Sequence, residues 1–174
     1  MEPSNLKAEI LLASNKKEEK ILRTKTVPFD FERATAREIR DLLARMRRVM
    51  RAANGIGLSA NQIGLNCSVF VAEIPDPQGG LKFYAVFNPR IEKLEGDKEL
   101  MEEGCLSVPG KYGDVERNTR ITITGFDKYG KALRIKAWGL LAHVFQHEID
   151  HLNGKLFIDK AKRLHDSMPV TAKS

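Results

Sequence analysis

Cysteine is scarce in this chain: Cys67 and Cys105 are the only two. Two thiols cannot build a disulfide framework, and cytosolic thiols stay reduced, so each reads as a packing residue or as a metal or catalytic thiol. Long apolar runs are missing as well. None approaches the roughly 18 residues that a membrane span needs. The first twenty residues, MEPSNLKAEILLASNKKEEK, lack the cationic start, apolar stretch and small-residue cleavage site of a secretory signal. Their acidic residues also argue against an organellar transit peptide. The expectation is a cytoplasmic protein with no membrane partner. Basic motifs rich in aromatics are absent too, which makes a DNA- or RNA-reading module a weak candidate. The net charge of +6 suits an anionic partner, and equally an ordinary solvated surface.

What is present is the composition of a globular protein, 42% hydrophobic and 30% charged. A length of 174 residues accommodates one domain, 1–174, with a sizeable core. No repeat, low-complexity segment or linker divides it. Residues 1–32 give no defined element beyond apolar pieces at EILLA and KILRT. In TAREIRDLLARMRRVMRAANG, apolar residues recur at Ile39, Leu42, Leu43, Met46, Val49, Met50 and Ala53, the one-sided stripe of a helix. Thr35 and Glu38 form a capping box, and Gly55 is a fitting stop. Strand-like segments follow at 67–74, 83–89, 115–127 and 131–138, with PDPQGG as a loop and DKYG as a hairpin turn. LLAHVFQHEIDHLNG reads as a second helix, apolar around most of its circumference and therefore buried. KLFI reads as a short strand before a basic tail. The expected fold is α+β: mixed or antiparallel sheets around a central buried helix, with the first helix packed outside.

The second helix carries the chemistry. His147 and His151 are one turn apart and can share a metal ion, while Glu148 can approach a metal-bound water from the side. Polar groups on an otherwise apolar helix fit a metal better than they fit packing. The third ligand is not in the helix. The longer protease pattern HExxHxxGxxH matches as far as Gly154, but Phe157 stands in place of its last histidine. A later glutamate cannot serve, because none follows residue 154. His143 lies about 12 Å from His151 along the axis, too far to share an ion, and is expected in the pocket wall. Cys105 in EEGCLSVPG, among neighbours that read as a loop, is the remaining candidate. A lone cysteine is more often a small buried hydrophobe, a reading that Cys67 fits well.

Three stretches, GIGLSANQ (55–62), EGCLS (103–107) and QHEIDH (146–151), closely resemble, in order, the motifs of the peptide deformylases. Ser59 is the one departure, where that family usually has alanine. The resemblance implies one divalent metal ion held by Cys105, His147 and His151 with water fourth. Fe2+ is the family's usual metal, and Zn2+, Ni2+ or Co2+ suit the same ligands. It implies water attack on a formyl carbon with Glu148 as general acid/base, and Gln62 and the Leu106 N–H holding the substrate oxygen. The edge from Ile56 through Gly57 to Leu58 is expected to pair with an N-formylmethionyl peptide, with Gly104 and His143 beside it. Glu103 is expected to pair with Arg117, and Asp150 to anchor the helix. Alternatives are a metallo-amidase of other acyl specificity and a non-catalytic ribosome-associated metal protein. A monomer that contacts the ribosome near the tunnel exit through its basic charge and KLFIDKAKRLH completes the expectation.

Overall fold

A computed structural model describes residues 9–76 and 79–166. Six strands form one antiparallel sheet in the order β1-β2-β3-β4-β5, with β6 paired to β4. They are β1 Gly57–Ser59, β2 Val69–Pro75, β3 Leu81–Cys105, β4 Val108–Phe126, β5 Ala132–Trp138 and β6 Arg163–Asp166. Among the described residues, three α-helices accompany them: α1 Lys16–Leu22, α2 Ala36–Ala52 and α3 Gly139–Leu152. Every strand pair is antiparallel, so the mixed alternative drops out.

The sheet is covered on both faces, and β2 explains how. Successive strand residues face opposite sides. Val69 and Val71 pack with Ile39, Leu43, Met46, Val49 and Met50 of α2. Phe70, Ala72 and Ile74 pack with Ala142, Val144, Phe145, Ile149 and Leu152 of α3. A strand buried on both faces loses the apolar/polar alternation of a half-exposed one, hence the nearly continuous VFVAEI. The capping box of α2 is present: Thr35 Oγ1 accepts from the Glu38 N–H at 3.2 Å, and Glu38 Oε2 accepts from the Thr35 N–H at 2.8 Å.

Several boundaries differ from the expectation. KLFI is not a strand; Phe157–Asp159 is a 3₁₀ turn whose Leu156 and Phe157 are buried. The segment preceding residue 32 holds α1, capped by Asn15 Oδ1, which accepts from the Lys17 N–H at 3.0 Å. The segments expected at 83–89 and 115–127 belong to a far longer hairpin, β3–β4. Cys105 therefore ends a strand instead of sitting in a loop. A two-residue turn, Leu106–Ser107, joins Cys105 to its partner Val108. Four register shifts along β3–β4 mark bulges, which bend a strand and re-aim its side chains. The loop expected at PDPQGG falls partly on residues 77–78, and the end of the basic tail on 167–174; both lie outside the described residues. Where residues are described, no helix is long and apolar enough to cross a membrane.

Candidate metal centre and cleft

Helix α3 brings His147 and His151 together by its own geometry. Their Nε2 atoms lie 3.1 Å apart, and the Cys105 Sγ lies 3.1 Å from the His151 Nε2. The three ligand atoms fall within 4.8 Å of one another. Thiolate and imidazole around one point are the donors of a four-coordinate divalent site with a position left for water. The tautomer agrees. His147 Nδ1 lies 2.7 Å from the Glu103 Oε2, which keeps the ring proton on Nδ1 and turns the Nε2 lone pair toward Cys105 and His151. These residues fit a metal ion.

Glu103 organises the surroundings. Arg117 donates to both its oxygens, at 2.6 and 3.0 Å, and also to Asp150. His143 Nε2 comes within 2.7 Å of Glu103 Oε1, a close approach without hydrogen-bond alignment. Burial opposes ionisation of Glu103, but His143, His147 and Arg117 together hold its carboxyl well below the ordinary range. Asp150 is also bound by Lys160 at 2.6 Å. Phe157 stacks over the His147 ring at 6.4 Å between centroids, so the residue in the protease's third-histidine place packs on a candidate ligand.

Glu148 is enclosed. Burial pushes its carboxyl up to about 7, with His147 and then the hydroxyl of Ser59 pulling the other way. A side chain at Gly57 would put its Cβ 2.3 Å from the Glu148 Oε1, so only glycine permits this approach. Burial lowers both histidines, yet contacts with Cys105 and Glu103 carry His147 well above its usual value, while His151 falls well below.

The centre opens into a cleft of about 780 Å³ lined by Ile56, Gly57, Gln62, Cys105, His147 and Glu148, among others. Gly104, Leu106, Glu103 and His143 also line it. Gln62 is fixed at both ends: its Oε1 accepts from the Ser59 N–H at 2.9 Å, and its Nε2 donates to Ser107 Oγ at 3.1 Å and approaches the Cys105 Sγ at 3.6 Å. β1 is the edge strand of the sheet and borders the cleft through Ile56 and Gly57. Leu58 does not line it; its side chain is fully buried in the α2 core, which leaves only its backbone for a ligand. Cys67 is partly buried and far from ionisation, its thiol pushed up to about 11 by burial. Two polar partners escaped the motif reading, the Ser59 hydroxyl on Glu148 and the Ser107 hydroxyl on Gln62. Only the unusual serine at 59 offered a signal.

A thiol and two imidazoles placed to share one ion, a buried carboxyl group beside them and an open strand edge are the arrangement of a metal-dependent hydrolase. The chain belongs to the polypeptide deformylase family, whose model matches residues 9–167. It is 43% identical over 148 residues to the peptide deformylase of Halothermothrix orenii, covering 85% of this chain and 92% of that protein. A crystal structure of the Synechococcus elongatus peptide deformylase in complex with actinonin is similar, with a TM-score of 0.77 and 35% identity, covering 88% of this chain and 78% of that one. A Met-Ala-Ser-bound class I type b peptide deformylase from Acinetobacter baumannii is similar with a TM-score of 0.78 and 28% identity, covering 87% and 96%. The reaction is removal of the N-formyl group from nascent polypeptides, with release of formate.

Proposed function

We propose that Cys105, His147 and His151 hold one divalent metal ion and that Glu148 carries the proton in deformylation. The observation that carries this is the convergence of three ligand atoms within 4.8 Å beside a buried carboxylate and an edge strand. One thiolate and two imidazoles accept Fe2+, Zn2+, Ni2+ or Co2+; the family resemblance favours Fe2+. When bound, the metal supplies Lewis-acid activation of water and of the formyl oxygen.

The chain's own residues do the rest. The formylmethionyl peptide adds as a strand along β1, its backbone pairing with Ile56 to Leu58; the Acinetobacter relative is known with Met-Ala-Ser bound. Gln62 Nε2, already held toward Cys105, and the Leu106 N–H donate to the formyl oxygen as it gains negative charge. Glu148 takes the proton of the attacking water and gives it to the amine nitrogen as the C–N bond breaks. Formate and a free N-terminus leave. His143 and Gly104 form cleft wall, and Glu103 with Arg117 orients His147.

Formate release from a formyl-Met peptide, with metal per chain measured, tests the assignment. Glu148→Gln is expected to lose activity by about 10³-fold with its metal retained, and Cys105→Ala to lose both. Full activity in either variant overturns it.

We also propose contact between a monomer and ribosomal RNA. KLFIDKAKRLH is poorly suited to it, because Lys160 pairs with Asp150 and Lys162 with Glu116. The exposed Arg40 and Arg48 of α2 have no ion-pair partner among the described residues and suit a phosphate backbone better. Co-sedimentation with ribosomes is expected to weaken as salt rises; salt-independent sedimentation sinks the electrostatic contact.

A further inference from the structure

Ser59 ends β1 and is fully buried against α3, and substrate binding does not account for its side chain. Its Oγ lies 2.7 Å from the Glu148 Oε2 and 2.9 Å from the Glu148 backbone oxygen. A hydroxyl has one proton, so it donates to one of these two acceptor oxygens at a time. Gly57 and Ser59 are two residues apart on one strand and present the same face to α3. Gly57 leaves room for Oε1, and Ser59 supplies a partner to Oε2. Among the described residues, Ser59 is the only side chain that hydrogen-bonds the Glu148 carboxylate.

We propose that Ser59 is a positioning residue whose hydroxyl holds the Glu148 carboxylate in one orientation through both halves of the proton transfer. The proposal rests on the assignment of Glu148 as the proton carrier. With Glu148 ionised, the Ser59 O–H donates to Oε2. Glu148 takes the proton of the attacking water on Oε1, the oxygen beside Gly57 at the cleft, while the Ser59 O–H keeps donating to Oε2, which remains an acceptor in the protonated acid. The same proton passes from Oε1 to the amine nitrogen as the C–N bond breaks. Oε2 keeps one partner throughout, and no heavy atom of the carboxyl group moves. A carboxylate fixed in this way stays aimed at both water and leaving group. A tie between β1 and α3 that acted only on folding would leave turnover unchanged.

Ser59→Ala separates these roles, since a methyl group fits where the hydroxyl was. The measurements are kcat and KM of the holoenzyme on a formyl-Met peptide, metal per chain and melting temperature. The expected result is a kcat lowered by about threefold or more, with KM and metal content within about twofold of the unsubstituted chain. A kcat within about threefold overturns the proposal, whatever the melting temperature does. So does a loss of kcat matched by an equal loss of metal or by an equal rise in KM. Failure of the unsubstituted chain to release formate from the same peptide would overturn the assignment of activity itself, which is a different outcome from a silent Ser59→Ala.

Discussion

The two long helices lie on opposite faces of one sheet and meet the problem of polar residues in opposite ways. Helix α2 buries Ile39, Leu43, Met46, Val49 and Met50 along one stripe and leaves Arg37, Arg40, Arg48 and Arg51 exposed. Its link to the sheet is Glu73, gripped by Arg47 and Arg51, whose side chains are 40% and 54% exposed. Helix α3 has nine buried residues among its fourteen, and four of those nine are polar. Each key polar group on it finds a partner on another element: Gln146 with Asn118, His147 with Glu103, Glu148 with Ser59, Asp150 with Arg117. The lesson is that α2 is held by apolar area and local capping, whereas α3 depends on partners delivered by β1, β3 and β4. Charge is cheap to rearrange in the first setting and costly in the second.

The largest break in this contrast comes from Arg117, which is 4% exposed. Arg117→Met leaves Glu103 and Asp150 without their shared cation, and removal of one partner from a buried pair costs about 3–5 kcal/mol. The midpoint of chemical denaturation measures it, and metal affinity is expected to fall as His147 loses its fixed orientation. A loss below about 1 kcal/mol would place Arg117 in the same class as a surface cation.

A smaller effect is expected at Glu73→Gln. Hydrogen bonds from Arg51 lower the Glu73 carboxyl below its usual 4.5; burial opposes them and Arg47 adds to them. A carboxyl lowered in the folded state stabilises above its unfolded value and loses that contribution as pH falls through the folded one. The deficit of Glu73→Gln is therefore expected to stay constant from neutral pH down to about 5 and to shrink below 4.5. Its size at neutral pH is expected to be under about 1 kcal/mol, since both arginines sit in solvent. Denaturation curves of the two proteins across that range measure it, and a deficit that grew on acidification would reverse the sign.

How far each element could be read in the sequence follows the same physics. α2 was legible from its 3.6-residue stripe and Thr35–Glu38 box, because both signals are local. β2 was legible as an apolar run. The outer length of β3 was not: in RIEKLEGDKEL almost every residue is exposed, on both faces, so no alternation survives. That stretch is a strand because β4 pairs with it, and burial plays little part. KLFI failed in the other direction, since Leu156 and Phe157 are buried, Phe157 against the His147 ring, while their backbone turns. Glycine, serine and proline around Cys105 suggested a loop, whereas two residues of turn sufficed. The Glu103–Arg117 pair could be proposed from the motif, but the reach of Arg117 on to Asp150 could not.

By itself the sequence determined that His147, Glu148 and His151 share one helix and that two of them face one point, because a four-residue spacing fixes direction on any helix. It also determined which thiol was unusual. Only the tertiary structure decided that the thiol meets the imidazoles, since a two-residue turn and the bends of a long hairpin carry Cys105 across the chain to α3. It decided as well that Gly57 and Ser59 enclose the Glu148 carboxylate. That arrangement depends on the register of β1 against β2 and on the packing of α3, and neither is a property of a few adjacent residues.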